Sequence, residues 1–189
     1  MGLTASIFNQ PLTSFQISSF SQTVLHLPYS TSVNLLMAMN GIGLFGRIIP
    51  SFLADRFFGP YNTLIPFVFI SGLILYFWSL VTTSAGLYAF ALTYGLFSGG
   101  FQGLFPTVMG RLTKDLSRVG VRNGMGFAIG GVAAFTGPPI AGALVQAGGG
   151  GRHGYLVAQM WAGSVIMLGG LVLLFGRMSK TGWAWAVKV

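Results

Sequence analysis

The residues able to do chemistry here gather in one stretch, Asn40-Gly-Ile-Gly43-Leu-Phe-Gly46-Arg47-Ile-Ile-Pro50-Ser51-Phe-Leu-Ala-Asp55-Arg56-Phe-Phe-Gly59. A single arginine stands inside an apolar, glycine-studded run. As a helix, Ser32–Ala54 would be about 34 Å long at ~1.5 Å per residue, enough to cross a hydrocarbon core of about 30 Å. Arg47 lies roughly 12 Å from Asp55 on the same rise, too deep for its side chain to snorkel to water easily. It should therefore face protein or a water-filled cavity. Asn40, Gly43, Arg47 and Ser51 recur at three- and four-residue steps and share one helical face. One reading is an anion-binding cavity, with open volume beside Gly43 and a guanidinium fork that matches a carboxylate. The other is a guanidinium tied to backbone carbonyls at a helix interface, or reaching Asp55.

Two further constellations sit in apolar runs. Gly95, Gly99 and Gly103 repeat every four residues, a small-residue pattern that lets helix backbones approach closely in lipid. Tyr94, Ser98 and Gln102 line the adjacent strip. A polar pathway lining and a plain interhelical hydrogen bond both fit Gln102, which joins Arg47 and Asn40 as a candidate substrate contact. Downstream, Thr136-Gly137-Pro138-Pro139 puts two prolines inside an apolar run. They remove backbone hydrogen bonds, which predicts a kink and makes Gly137, Pro138 and Pro139 candidates for a gate. A static kink is the alternative.

Composition excludes most other chemistry. Of 189 residues, 53% are hydrophobic and 6% charged, with mean hydropathy +0.74. A soluble domain carries about a quarter charged residues, so the class is an all-α integral membrane protein. There is no cysteine or glutamate, and Asp55 and Asp115 are the only carboxylates. No metal site, cofactor or carboxylate acid–base pair is expected. An intramembrane serine protease would need a histidine beside Ser98, but His26 and His153 fall in expected loops; no enzyme is expected. The formal charge of +8 would suggest nucleic acid in a soluble protein. Here the basic residues border apolar runs and form no nucleic-acid face.

About five spans are expected, over 32–54, 64–81, 86–108, 124–147 and 155–175. Residues 1–31 read as an extracellular loop with an interfacial turn, or as the remnant of a preceding helix. The tail 178–189 reads as cytoplasmic, with Trp183 and Trp185 at the interface. Arg111, Lys114 and Arg118 fall on one face of a short charged loop segment, with Asp115 within reach of Arg111 or Arg118. Apart from Arg47, eight of nine basic residues lie on one side of this topology and only Arg152 opposite. The positive-inside rule then puts the N-terminus outside and the C-terminus in the cytoplasm, with the plasma membrane as the expected site.

The charged turn Gly46-Arg47 to Ala54-Asp55-Arg56-Phe-Phe-Gly59 resembles the turn that recurs in each half of major facilitator superfamily transporters. Gly95-Leu-Phe-Ser-Gly99, Lys114-Asp115-Leu-Ser-Arg118-Val-Gly120-Val-Arg122-Asn-Gly124-Met and Thr136-Gly-Pro-Pro-Ile-Ala-Gly142-Ala-Leu, in that order, resemble its monocarboxylate-transporter-like branch, especially fungal members. Similarity runs from about residue 20 to 177. The resemblance implies a twelve-helix fold of which this chain is the C-terminal half without most of its first helix, its spans being the last five. It implies alternating-access transport of a small organic anion, with Arg47 as the counterpart of a carboxylate-binding arginine. It also makes Asp55, Arg56 and Gly59 a conformational latch. Animal relatives carry a proton-coupling aspartate where this chain has Gly43, so anion recognition carries over and lactate-type proton symport does not. The partners implied are the anion, the bilayer, and a missing N-terminal half or a second copy. A non-transporting truncated protein or partner subunit is the alternative.

Overall fold

The computed structural model describes residues 2–113 and 115–181. The expected interfacial residues Trp183 and Trp185, with Lys188 and Lys114, lie outside them. Six long helices follow one another: α1 (Gly2–Thr23), α2 (Tyr29–Leu53), α3 (Pro60–Phe77), α4 (Ser84–Arg111), α5 (Val119–Ala147) and α6 (Gly151–Thr181).

The breaks between helices follow local chemistry. Between α2 and α3, Ala54–Phe58 makes one π-helical turn, and the Gly59 N–H donates to the Ala54 carbonyl at 2.8 Å. Gly59 has φ 82°, a conformation that side chains resist, and Pro60 then starts α3 with its φ already set for a helix. Thr83 caps α4, its hydroxyl accepting from the Gly86 N–H at 3.1 Å. Gly149, Gly150 and Gly151 all have positive φ and turn the chain from α5 into α6. Arg152 and His153, expected in a longer glycine turn, fall instead in the first turn of α6.

Residues 2–23 form helix α1, which fits the second of the two readings of this segment, part of a preceding helix, and not the loop. The Ser, Thr and Gln residues that make this segment look like a loop are satisfied by other helices. Thr13 donates to the Tyr94 hydroxyl at 3.2 Å, Ser21 pairs with Ser32 at 2.6 Å, and Ser19 bonds Tyr155. Ile17 and Phe20 are buried in the common core, where Phe20 meets the rings of Trp78 and Tyr155 edge-on. Among the described residues the bundle therefore has six long helices, α1 packed against α2, α4, α5 and α6. These contacts put the C-terminal end of α1 beside the start of α2 and α6. Gly2 therefore points back toward the end of the bundle that carries Asp55. Gly2 and Thr181 are directed to the same end, where the sequence reading put the two termini on opposite sides.

Among the described residues, four segments are long and apolar enough to cross a membrane: Tyr29–Phe58, Pro60–Leu80, Val119–Ala147 and Gly151–Ser179. The run expected as a further span, 86–108, lies within α4, which is not among them. Its Gly, Ser, Thr, Tyr and Gln content lowers its hydropathy, yet much of it is enclosed by protein. Leu87, Phe90, Tyr94, Phe101, Leu104 and Val108 are all buried. A helix wrapped by protein need not match lipid.

The close helix pairs are α2 with α4, α1 with α5 and α3 with α6, followed by α3 with α4 and α1 with α6. Exchanging α1–α3 for α4–α6 maps this set onto itself. Each three-helix unit runs the length of the bundle three times, so the second starts from the opposite end. This is the arrangement of an inverted repeat.

Candidate functional site

Glycine builds the α2–α4 seam. A Cβ on Gly46 would sit 2.1 Å from the Leu96 carbonyl oxygen. On Gly95 or Gly99 it would sit 2.4 Å from the Met39 or Gly43 oxygen respectively. The two backbones touch, as the small-residue spacing predicts. Gly43 is buried against Gly95 and Gly99 rather than opening a cavity beside the arginine, a correction to the sequence reading.

This close approach sets Arg47 opposite Gln102. The half-buried guanidinium donates through Nε and Nη2 to the one amide oxygen Oε1, at 3.2 and 2.7 Å. Its Nη1 makes no hydrogen bond among the described residues. Gln102 thus answers one of the open sequence readings with an interhelical bond, made to the residue expected to bind substrate. Asn40 stands apart. It is exposed, about 10 Å up the helix from Arg47 at ~1.5 Å per residue, and its amide donates to the Leu36 carbonyl at 2.8 Å. Ser51 is also turned to its own helix, donating to the Arg47 carbonyl at 2.7 Å.

Arg47 does not reach Asp55. Asp55 instead pairs with Arg111 at the end of α4, Nη2 to Oδ1 at 3.4 Å, with both side chains largely exposed. The pair ties the α2–α3 turn to the α4 terminus. Arg56 lies over the Phe57 ring at 5.7 Å. Asp115 takes Arg118 at 3.3 Å, the second of the two partners expected, and accepts from Ser117.

α5 runs as one helix through Pro138 and Pro139, the pair expected to kink it. The prolines leave the Ala134 and Phe135 carbonyls without their i+4 donors. Just before them, the Thr136 hydroxyl bonds the Val132 and Ala133 carbonyls at 3.1 and 3.2 Å. Gly137 is buried in the bundle.

One charged group was misread. Arg177 counted as a tail charge in the sequence, but α6 continues past it and leaves it 2% exposed, its Nε donating to Asn62 Oδ1 on α3. The available signal was the lack of any proline between Phe175 and Thr181. Among the described residues no group of histidines and carboxylates is placed to hold a metal ion.

No family model matches the chain. It is 35% identical over 167 residues to an MFS-type transporter of Gibberella zeae, a match covering 87% of this chain and 37% of that protein. It is 38% identical over 142 residues to the Aspyridones efflux protein apdF of Emericella nidulans, covering 75% and 28%. Against the MFS-type transporter pynF of Aspergillus niger identity is 30% over 189 residues, covering 98% and 42%. The chain thus spans less than half the length of these relatives. Among solved structures, the POT family transporter PepTSo superposes with TM-score 0.81 and 19% identity, over 93% of this chain and 36% of that one. At that identity the likeness is one of fold.

Proposed function

We propose, for a multi-pass membrane chain that belongs to the MFS-type transporters, that it forms one half of a secondary transporter moving a small, monocarboxylate-like organic anion by alternating access. The observation that carries this reading is the Arg47–Gln102 pair on the glycine seam between α2 and α4. A guanidinium within an apolar helix is costly, and a neutral amide shares its field without neutralising it. The charge is left for an anion. A carboxylate arriving at the Nη1 side would make charge-assisted hydrogen bonds, stronger than those Gln102 provides. One of the relatives is named for efflux of aspyridones, which favours outward movement of an organic product. Asp55 and Arg111, with Arg56 and Gly59 in the same turn, would act as the latch. Pro138 and Pro139 would make α5 the helix that bends, since two of its carbonyls already lack donors. The charged end would face the cytoplasm, in the plasma membrane. The rest of the substrate path would come from the other half or from a second copy of this chain.

The test is a chimera in which this chain replaces the matching segment of the Gibberella zeae relative, assayed for transport of labelled monocarboxylates. Arg47→Lys keeps the charge and loses the fork. It should weaken apparent affinity by about tenfold, some 1.4 kcal/mol, with the protein still in the membrane. Normal transport by both Arg47→Lys and Arg47→Ala would refute the anion role and leave Arg47 as a packing residue.

A further inference from the structure

A cavity lies away from the glycine seam, at the end of the bundle that carries Asp55. It is a trough of about 1010 Å³ between the Ala54–Phe58 turn, α3 and α6. That is at the upper limit of the ~300–1,000 Å³ usual for small-molecule pockets. Its walls are apolar, including Leu53, Phe58, Pro66, Phe69, Ile70 and Leu174. Asn62 and Arg177 also line it, hydrogen-bonded to each other. Phe57 on the rim carries the Arg56 guanidinium over its ring. From Asn62 to Ile70 the α3 wall runs about 12 Å along the helix axis.

We propose that this trough binds an anionic phospholipid, an acyl chain lying on the α3 wall and the phosphate at the Arg56–Arg177 end. The apolar length argues against a free phosphate, which would gain nothing from those walls. The charge at the end argues against a neutral lipid. Among the described residues, Arg56, Arg111, Arg118, Arg122 and Arg177 gather there against two carboxylates, Asp55 and Asp115. Basic groups at a membrane surface favour acidic headgroups. Burying Arg177 against Asn62 adds to this by fixing one charge at the mouth of an apolar channel. The inference needs only that the chain lies in a bilayer, and holds whatever the chain transports.

The experiment is native mass spectrometry of the purified 189-residue chain in detergent, titrated with dioleoyl phosphatidylglycerol and, separately, dioleoyl phosphatidylcholine. One phosphatidylglycerol should bind at least tenfold more tightly than phosphatidylcholine. Ile70→Trp, which fills the trough, should lower that affinity by tenfold or more. Arg177→Gln should abolish the preference between the lipids, whereas Arg118→Gln, at the same end but outside the trough, should preserve it. Glycerol phosphate without chains should not compete. Equal binding of both lipids, an unaffected Ile70→Trp, or competition by glycerol phosphate would overturn the proposal in favour of annular lipid or a simple anion site. If Arg177→Gln does not fold, Ile70→Trp decides alone.

Discussion

Arg47 shows what a single residue reveals in a sequence and what it does not. Its depth was legible, because a charge inside an apolar run can be located by counting residues to the nearest turn. Its partner was not, because both Gln102 and a substrate answer the same need for hydrogen-bond acceptors. The structure supplies the amide through two donors, at 3.2 and 2.7 Å. The acceptor is neutral, and that detail yields a prediction. Gln102→Glu would put a carboxylate where an incoming anion should find an unneutralised guanidinium. The variant should fold, since the new ion pair satisfies both groups across a seam set by glycine. Anion binding should fall by at least tenfold relative to Gln102→Ala, which only removes the amide. Isothermal titration of the two variants within the chimera makes the comparison, and equal affinities would mean that anions bind elsewhere. Asn40 shows a related limit. Sharing a helical face with Arg47 places a residue in register, but an exposed amide one helical turn from its own helix's carbonyl is satisfied by it at 2.8 Å.

At the scale of elements, spacing predicted the α2–α4 seam well and composition predicted α1 badly. Gly95, Gly99 and Gly103 announce close packing because nothing else explains a four-residue glycine repeat in an apolar run. Tertiary contacts decide the state of α1, whose hydroxyls find Tyr94, Ser32 and Tyr155 only after the bundle forms. The paired prolines in α5 act within the helix. Lost donors need not break a helix when neighbouring turns hold, and α5 continues to Ala147. The seam makes a clean prediction about stability. Gly46→Ala would drive a methyl into the Leu96 carbonyl, and overpacking of this kind costs roughly 1–3 kcal/mol or more. Gly41 lies on the same helix with nothing within 4 Å of its Cβ position. Gly41→Ala should be neutral or stabilising by up to about 1 kcal/mol, since alanine is the better helix former. Thermal unfolding in detergent should show a clear drop for the first and none for the second. Equal melting temperatures would mean that the seam is looser than drawn.

For the whole molecule, the basic residues still set an orientation, although the extra helix changes which termini share a side. The links after α2, α4 and α6 hold the charge and those after α1 and α3 hold none, so the charged end should be cytoplasmic. Single cysteines can be introduced into a chain that has none. Thr82→Cys in the link after α3 should react with an impermeant thiol reagent outside intact cells, and Ser117→Cys after α4 should not; the reverse pattern would invert the topology.

The surface of the bundle bears on whether these 189 residues transport alone. A facilitator-type path lies between two halves that move about a site near the bilayer midplane. The two helices with the least buried apolar windows are α2 and α5, which are exchanged by the internal repeat. Along α5, Met125, Val132 and Phe135 are exposed, the last to 86%. Gly124, Gly131 and Gly142 lie among them with open space where a Cβ would be. Large apolar residues alone would suit lipid. Glycines on a lipid face contribute little to it, whereas they let a second helix come close. Asn40 is also exposed, on α2. An uncovered polar face of this kind within hydrocarbon is unfavourable, by about 3 kcal/mol for an arginine on insertion scales. The chain should therefore recruit a matching half or pair with itself before it carries anything. The check is reconstitution of the purified chain in liposomes, following labelled monocarboxylate uptake with and without a pH gradient, beside the chimera with the other half restored. Uptake by the chimera alone is expected. Saturable uptake by the 189-residue chain that is lost in Arg47→Ala would show that six helices, alone or as a pair of copies, make a complete path.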